Sequence, residues 1–249
     1  MIDLTVAGPF ARITLNRPEK RNAINTQMIA ALRDALTQTG THPAVRVVVL
    51  AAAGQDFCAG LDVAMLRETA DADVLKHLES AESLAMLFRA LRDHPQPVVA
   101  TVRGRALGGG CGIATACDVV LAAESAQFGY PEVKIGFVPA IVMSLLRRSV
   151  GEKRAFDLLV RGEPVTAREA LAAGMITQVY PDAEFEAKTE SYVTAIAEKS
   201  ASAVALTKRL LRQTDTMSFE AALAAGVEVN TIARMTEDAR RGFESFVKK

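Results

Sequence analysis

Two short stretches of small residues are the part of the sequence best suited to chemistry. Residues 57–62 read FCAGLD, and residues 107–110 read LGGG. Small side chains let a ligand approach the backbone closely, and amide groups at the start of a helix have no partner within that helix. Two such amides that converge on one oxygen form an oxyanion hole, which stabilises negative charge developing on that oxygen.

The glycine run has other interpretations that the residues alone leave open. Consecutive glycines also suit a tight crossover, where a helix packs closely on a sheet. A phosphate cradle is disfavoured, because the sequence shows neither a Gly-Lys-Ser/Thr continuation nor a Gly-x-Gly-x-x-Gly spacing. The pattern therefore indicates either an enzyme that stabilises negative charge or a purely structural close packing.

Both stretches follow segments that the pattern predicts to be buried strands. The apolar runs are VRVVVLAA at residues 45–52 and PVVATVRG at residues 97–104. Continuous apolar runs of this length are typical of strands covered on both faces of a sheet. Because ligands bind outside the carboxyl ends of strands in open α/β sheets, we expect both loops to lie at such ends.

The remaining pattern alternates between strands and helices. Residues 2–6 and 10–16 predict a β-hairpin, 118–123 a strand, and 128–139 an irregular segment. Helical spacing predicts a first helix with an apolar face of Met28, Ile29, Leu32, Ala35 and Leu36. A second helix, over residues 72–92, is predicted to bury Leu75, Leu78, Leu84, Leu87, Phe88 and Leu91. Only helices are predicted after Pro181, so we expect an α/β core with a mainly parallel sheet and a helical C-terminal region.

Composition disfavours several classes of function. The 249 residues include 29 basic and 29 acidic side chains, and this zero net charge does not favour nucleic-acid or membrane partners. No apolar run reaches the ~18 residues of a membrane span, and no secretory signal is visible, so we expect a cytoplasmic protein. Three cysteines predict no disulfide framework. The three histidines are far apart, so we expect surface or loop histidines and no metal site.

Five motifs, read in order, resemble the enoyl-CoA hydratase/isomerase family, also called the crotonase family. They are LNRPEKRNAIN, FCAGLD, ALGGGCGIATACD, AQFGYPEVKIG and AREALAAGMITQVYP. The resemblance covers essentially the whole chain and is strongest over residues 10–181. It implies a crotonase-like α/β fold, with a spiral core of (ββα) repeats over residues 1–184. A C-terminal helical oligomerisation region over residues 185–249 is implied as well.

The resemblance also implies the chemistry that the two loops serve. In this family a coenzyme A thioester places its carbonyl oxygen in an oxyanion hole while a proton moves at the α-carbon, which gives an enolate. By resemblance, the backbone amides of Leu61 and Gly109 are the two donors, and Glu132 exchanges the proton. Coenzyme A arrives as part of the acyl-CoA substrate, so no separate cofactor and no metal are expected. The implied setting is fatty acid metabolism.

The same resemblance assigns residues that bind coenzyme A. Arg21 and Ala23 match the segment that lines the pantetheine and the phosphates, with Lys20 as a further candidate. Ala59 and Asp62 match the segment near the adenine end. A solvated loop is an equally open interpretation of Lys20 and Arg21.

Three assignments concern other parts of the chain. Gly108 belongs to the glycine loop beside the substrate. Lys248 and Lys249 resemble a basic C-terminal region that approaches coenzyme A phosphate from a neighbouring subunit, although a frayed terminus suits them equally. Asp118, between a helix and a strand, is predicted to be structural despite its charge.

One position departs from the hydratases of this family. They carry a second glutamate early in the helix after the glycine loop, where it activates water, and Gly112 stands at that position here. Shifting a double bond from the 3- to the 2-position needs a single base, so isomerisation alone is one interpretation. Hydration requires another group to hold the water, and Tyr130 is a candidate, although a tyrosine of the core or of a lid is the favoured interpretation of that residue. The glycine is also expected to free volume for a branched acyl group or a water.

Two further functions use the same motifs. A hydrolase or decarboxylase acting on malonyl- or hydroxyacyl-CoA would employ the same oxyanion hole. A non-catalytic scaffold that binds coenzyme A is the alternative from another class, suggested by the glycine at position 112.

The C-terminal helices predict an oligomer. Their apolar positions exceed what one appendage can bury alone, and they include Ala221, Leu223, Ala224 and Val227. Members of the family assemble through this region, so the resemblance implies a homotrimer or a dimer of trimers.

Overall fold

A six-stranded sheet forms the centre of the protein. The computed structural model describes residues 1–68 and 71–247. The strands lie in the order β1-β2-β3-β4-β6-β9, with bounds β1 Ile2–Ala7, β2 Phe10–Leu15, β3 Val47–Ala52, β4 Val98–Val102, β6 Val119–Ala123 and β9 Gln178–Tyr180. Only the β1–β2 pair of this sheet is antiparallel. The predicted hairpin and the predicted mainly parallel sheet are confirmed.

A second, three-stranded sheet lies beside the first. It contains β5 Arg105–Leu107, β7 Gln127–Gly129 and β8 Val165–Thr166. Strands β5 and β7 are parallel, whereas β7 and β8 are antiparallel. The segment 128–139 is therefore less irregular than predicted, because β7 is followed directly by a 3-10 helix over Pro131–Ile135. Strands of two or three residues are too short to show a periodic pattern.

Helices cover both faces of the main sheet and continue to the C-terminal part. Those before the last strand are α1 Thr26–Thr41, α2 Val63–Glu68, α3 Val74–Asp93, α4 Gly109–Ala116, α5 Ala140–Ser149, α6 Glu152–Arg161 and α7 Ala167–Ala172. Those after it are α8 Phe185–Ala197, α9 Ala201–Gln213, α10 Phe219–Met235 and α11 Glu237–Val247. Among the helices of the described residues, none has both the length and the apolar content that crossing a bilayer requires.

Strand β3 shows why the apolar run at residues 45–52 is continuous. Val48 and Leu50 face the main hydrophobic cluster, whereas Val47 and Val49 face a second cluster. Successive side chains of a strand point to opposite faces, so a strand covered on both sides is apolar throughout. The second cluster is completed by Phe185 of α8. Helix α8 thus packs on the sheet, while the predicted boundary between residues 184 and 185 stays a prediction.

Helices α1 and α3 differ in how well their predicted apolar faces are buried. All five predicted residues of α1 are buried, and Asn25 caps this helix by accepting a hydrogen bond from the Met28 amide. In α3 the later part of the face is buried, but Leu75 and Leu78 are exposed, which corrects the prediction for those two residues. The whole segment 73–82 is exposed, because only the later half of α3 reaches the core.

His94 lies in the loop after α3, in line with the expectation of surface or loop histidines, and it is buried. Its Nε2 atom is 3.0 Å from Thr39 Oγ1, and its Nδ1 atom is 3.1 Å from the Gln96 carbonyl oxygen. Burial lowers the pKa of this imidazole.

Asp118 has the structural role predicted for it. Its carboxylate accepts a 2.7 Å hydrogen bond from the Val98 amide and a 2.6 Å one from Lys208 Nζ. Arg212 Nη2 lies 3.4 Å from the other carboxylate oxygen. Asp118 thus ties helix α9 to the start of β4.

Replacing Asp118 with alanine is expected to destabilise the protein by roughly 3 kcal/mol, because the Lys208 side chain, 9% exposed, loses its carboxylate partner and keeps only its hydrogen bond to the Gln96 carbonyl. Denaturant unfolding measures this change. Glu124→Ala is the matched control, since it removes the partner of the exposed Arg168 and should change stability by about 1 kcal/mol or less. Equal losses in the two variants would contradict the structural role of Asp118.

Candidate active site

The two small-residue loops lie side by side. Cys58 bridges them, because its amide donates to the Arg105 carbonyl over 2.9 Å and its carbonyl accepts from the Leu107 amide over 2.9 Å. This is a single parallel bridge that pairs Cys58 with Ala106. The prediction placed each loop after a strand, and the structure brings the two together.

Gly60 and Gly109 set the close approach of the loops. Gly60 has a φ of +97°, a conformation that favours glycine. A Cβ atom at Gly60 would lie 3.0 Å from the Leu107 carbonyl oxygen and 3.7 Å from the Gly109 amide nitrogen. A Cβ atom at Gly109 would lie 3.9 Å from Leu61 Cγ. The segments that contain the Leu61 and Gly109 amides are therefore neighbours.

The amides of Leu61 and Gly109 are both available to a ligand. Ile24 donates to the Gly60 carbonyl and accepts from the Asp62 amide, so the Leu61 amide between them points away from Ile24. Gly109 begins α4, and the first amide bonded within that turn is that of Gly112. Within the part of the chain that the structure describes, neither amide has an acceptor. The start of α4 adds the positive end of the helix dipole.

Glu132 lies next to Gly108, in the 3-10 helix that follows β7. Its Oε1 atom is 3.0 Å from the position of a Cβ on Gly108, the residue before Gly109. Its Oε2 atom is buried and has no hydrogen-bond partner among the described residues. Burial raises the pKa of this carboxyl above its ordinary 4.5. A carboxylate with a raised pKa beside free amides can exchange protons with a bound ligand.

The space beside Gly112 is filled. A Cβ atom at this glycine would lie 2.6 Å from Val142 Cγ1 and 2.8 Å from Phe88 Cζ. Both side chains are buried. The expectation that Gly112 frees volume for an acyl branch or a water is therefore wrong, because two apolar side chains occupy that volume.

Tyr130 is a core residue in this structure. It is 0% exposed, and its hydroxyl lies 3.5 Å from Thr115 Oγ1. Burial raises the pKa of the phenol well above its usual value of 10. The assignment of Tyr130 to a substrate or to a water is corrected accordingly, because the side chain does not reach a surface that either could occupy.

Two of the residues assigned to coenzyme A, Ala23 and Asp62, contact Arg17, which was not among the predicted residues. Arg17 Nη1 donates to Asp62 Oδ2 over 2.6 Å and to the Ala23 carbonyl over 3.1 Å. The Ala59 amide donates to the Arg21 carbonyl over 3.0 Å. The hydrogen bond from Arg17 lowers the pKa of Asp62. Lys248 and Lys249 lie outside the described residues.

Asn22 holds this segment in place and was also missed. Its side chain is buried and donates to the carbonyls of Ala53, over 2.8 Å, and Asp56, over 2.9 Å. The backbone carbonyl of Asn22 accepts a hydrogen bond from the Cys58 thiol, with an S···O distance of 3.0 Å. The position of Asn22 within RPEKRNAIN, beside the expected binding residues, was the available signal.

Comparisons with known proteins agree on one family. The enoyl-CoA hydratase/isomerase family profile matches residues 7–249. A Thermus thermophilus protein, named provisionally as an enoyl-CoA hydratase, is 38% identical over 97% of this chain and 96% of its own. The 2,3-dehydroadipyl-CoA hydratase of Escherichia coli is 34% identical over 95% of this chain and 91% of its own.

Solved structures show the same fold. The enoyl-CoA hydratase of Mycobacterium smegmatis superposes with a TM-score of 0.95 at 30% identity, covering 99% of this chain and 96% of the other. The predicted crotonase-like fold with a helical C-terminal region is confirmed. The chain belongs to the enoyl-CoA hydratase/isomerase family.

Proposed function

We propose that this protein is an acyl-CoA enzyme that stabilises a thioester enolate. The thioester carbonyl oxygen accepts hydrogen bonds from the amides of Leu61 and Gly109, and Glu132 moves the proton at the α-carbon. The observation that carries the proposal is the buried, unpartnered Oε2 of Glu132 beside Gly108 and the two free amides. Each oxyanion donor contributes roughly 2.7–4 kcal/mol to lowering such a barrier.

Isomerisation of a 3-enoyl-CoA to a 2-enoyl-CoA is the reaction for which these groups suffice. Glu132 removes a proton from the α-carbon, the electron pair delocalises onto the thioester oxygen, and the same carboxyl returns the proton at the γ-carbon. No second acid or base is required. The apolar contacts of Phe88 and Val142 at Gly112 support this choice, because they leave no space there for a second carboxylate.

Hydration of a 2-enoyl-CoA is the second candidate. Its support is that the relatives at 38% and 34% identity carry enoyl-CoA hydratase and 2,3-dehydroadipyl-CoA hydratase in their names. In this candidate Glu132 would have to position the water as well as serve the α-carbon, since Gly112 supplies no side chain.

A paired assay on the purified protein separates the candidates. A 2-enoyl-CoA and a 3-enoyl-CoA are offered separately, and the ultraviolet absorbance of the conjugated thioester is followed. A rising band from the 3-enoyl substrate alone supports isomerisation, whereas a falling band from the 2-enoyl substrate identifies a hydratase. Free CoA or CO₂ from malonyl- or hydroxyacyl-CoA would identify a hydrolase or decarboxylase. Calorimetric binding of acyl-CoA without any turnover would leave a scaffold and overturn the enzymatic proposal.

The binding assignments and the assembly belong to the same proposal. Arg21, Ala23, Ala59 and Asp62 contact the coenzyme A portion of the substrate, and Gly108 lies beside the acyl group. We expect a homotrimer or a dimer of trimers, because α10 exposes apolar side chains and buries none within the chain. Light scattering at micromolar concentration measures the mass, and a monomer would contradict this expectation.

A further inference from the structure

An ion pair joins the two loops just before the proposed oxyanion donors. Asp56 lies five residues before Leu61, and Arg105 lies four residues before Gly109. The Arg105 side chain donates from Nε to Asp56 Oδ1 over 2.8 Å and from Nη2 to Oδ2 over 2.7 Å. The Arg105 backbone amide donates to Oδ1 over 3.0 Å. The Asp56 carboxylate therefore accepts three hydrogen bonds from Arg105, the first residue of β5.

The paired hydrogen bonds between Arg105 and Asp56 hold the two side chains at a fixed distance. A planar guanidinium that meets a carboxylate with two parallel hydrogen bonds fixes both their separation and their relative orientation. The Asp56 side chain is only 8% exposed. The Asn22 side chain also donates a hydrogen bond to the backbone carbonyl of Asp56. The hydrogen bonds from Arg105 also keep the pKa of Asp56 below its usual value.

The constraint continues from the ion pair to the donors. Two residues after Asp56, Cys58 bonds to both sides of Ala106 through the Arg105 carbonyl and the Leu107 amide. Gly60 then lies against the Leu107 carbonyl. Hydrogen bonds and close contacts follow one another from the ion pair to the segments that contain the two amides, so we expect a change in the geometry of the pair to reach both of them.

The ion pair acts at a distance from the reacting groups. Asp56 lines a small surface cavity together with Arg12, Thr14, Arg103 and Phe185, and Glu132 does not contribute to that cavity. We propose that Asp56 and Arg105 are positioning residues, which hold the Leu61 and Gly109 amides at the separation that a thioester oxygen requires. The proposal rests on the proposed function.

The first test is kinetic. Arg105→Met should lower kcat about tenfold with KM changed by less than about twofold, because a displaced donor loses part of its transition-state stabilisation. Arg105→Lys, which keeps the charge but not the paired hydrogen bonds, should be intermediate. Arg103→Met is the matched control, since Arg103 also pairs with a carboxylate and its side chain is 42% exposed against 41% for Arg105. Its kcat should equal that of the wild type.

The second test uses infrared spectroscopy to measure the hydrogen bonds that the thioester oxygen accepts. The infrared carbonyl stretch of butyryl-CoA, labelled with ¹³C at the thioester carbon, should be lower when bound to the wild type than in water. It should return toward the free value in Arg105→Met. An unshifted stretch in the wild type would refute the oxyanion hole and with it the proposed function. A normal shift and normal kcat in Arg105→Met would refute only the positioning role.

A neutral variant keeps the test decisive if Arg105→Met does not fold. Asp56→Asn preserves the size of the side chain and removes its charge, and thermal unfolding shows whether it is folded. A folded Asp56→Asn protein with reduced kcat and a carbonyl stretch that has moved back toward the free value supports the proposal. Wild-type values for both quantities in Asp56→Asn and in Arg105→Lys would overturn it.

Discussion

Replacing Glu132 with glutamine is expected to lower turnover by about 10³-fold while leaving the protein folded. General acid–base groups contribute roughly 10²–10⁴-fold, and in the proposed isomerisation a single carboxylate serves both proton transfers. The amide of glutamine has nearly the same size but cannot accept the α-proton. Steady-state kinetics with the enoyl-CoA that the wild type converts measures the loss.

The raised pKa of Glu132 predicts two pH effects. Since proton removal needs the carboxylate, kcat/KM should fall with decreasing pH along a limb that lies above pH 4.5. A carboxyl whose pKa is raised by folding stabilises the native state below its unfolded pKa, and this contribution is lost as pH rises through the folded pKa. Glu132→Gln should therefore be at least as stable as the wild type at pH 7–8, and the difference should shrink as pH falls through the folded pKa and level off below pH 4.5.

Glu163→Gln is the matched control for this variant. Glu163 is an exposed glutamate that pairs with Lys134, a residue of the 3-10 helix that contains Glu132. It therefore lies near Glu132 without belonging to the proposed active site. Its substitution should leave turnover unchanged. Full activity of Glu132→Gln on every enoyl-CoA that the wild type converts would refute the assignment of the base.

The parts of the fold that follow a strong local pattern could be predicted from the sequence. The buried face of α1 repeats with helical spacing over 16 residues, and β3 is continuously apolar because both of its faces are covered. The two loops could be located by a general rule, since ligand sites in α/β sheets lie beyond the carboxyl ends of strands. Resemblance then supplied Leu61, Gly109 and Glu132; the structure places Leu61 beside Gly109 and Glu132 beside Gly108, while their roles stay a prediction.

The remainder of the site depends on contacts between distant residues. Arg17 meets Asp62 across 45 positions, and Arg105 meets Asp56 across 49, so no local pattern reveals either pair. The volume beside Gly112 belongs to Phe88 and Val142 of other helices. A glycine in a sequence indicates only that its own side chain is absent, whereas close packing of the interior decides which neighbour occupies the space. The exposed start of α3 has the same origin, because periodicity shows an apolar face but not what covers it.

Gly110→Ala is expected to lower kcat about 100-fold by separating the two loops. A Cβ atom at Gly110 would lie 2.5 Å from the Cys58 carbonyl oxygen and 2.6 Å from Cys58 Cβ. The start of α4 would have to move from the Cys58 loop by about 1 Å to restore an ordinary contact. That displacement widens the gap between the amides of Leu61 and Gly109, and overpacking of this kind also lowers stability by roughly 1–3 kcal/mol.

The closest contact of the new methyl group at Gly110 is with the backbone carbonyl oxygen of Cys58, so removing the Cys58 side chain should not relieve the clash. Cys58→Ala removes the sulfur atom, which would lie 2.7 Å from the new methyl group, but it leaves the closer carbonyl in place. The double variant Gly110→Ala/Cys58→Ala should therefore stay impaired. Gly151→Ala is the control, because Gly151 is exposed before α6 with a φ of −63°, and no atom of the described residues lies within 4 Å of the new methyl group. Its kcat should be unchanged, with a change in stability of about 1 kcal/mol or less. Wild-type kcat and melting temperature in Gly110→Ala would show that the loops tolerate separation, and that the oxyanion donors do not depend on this close packing.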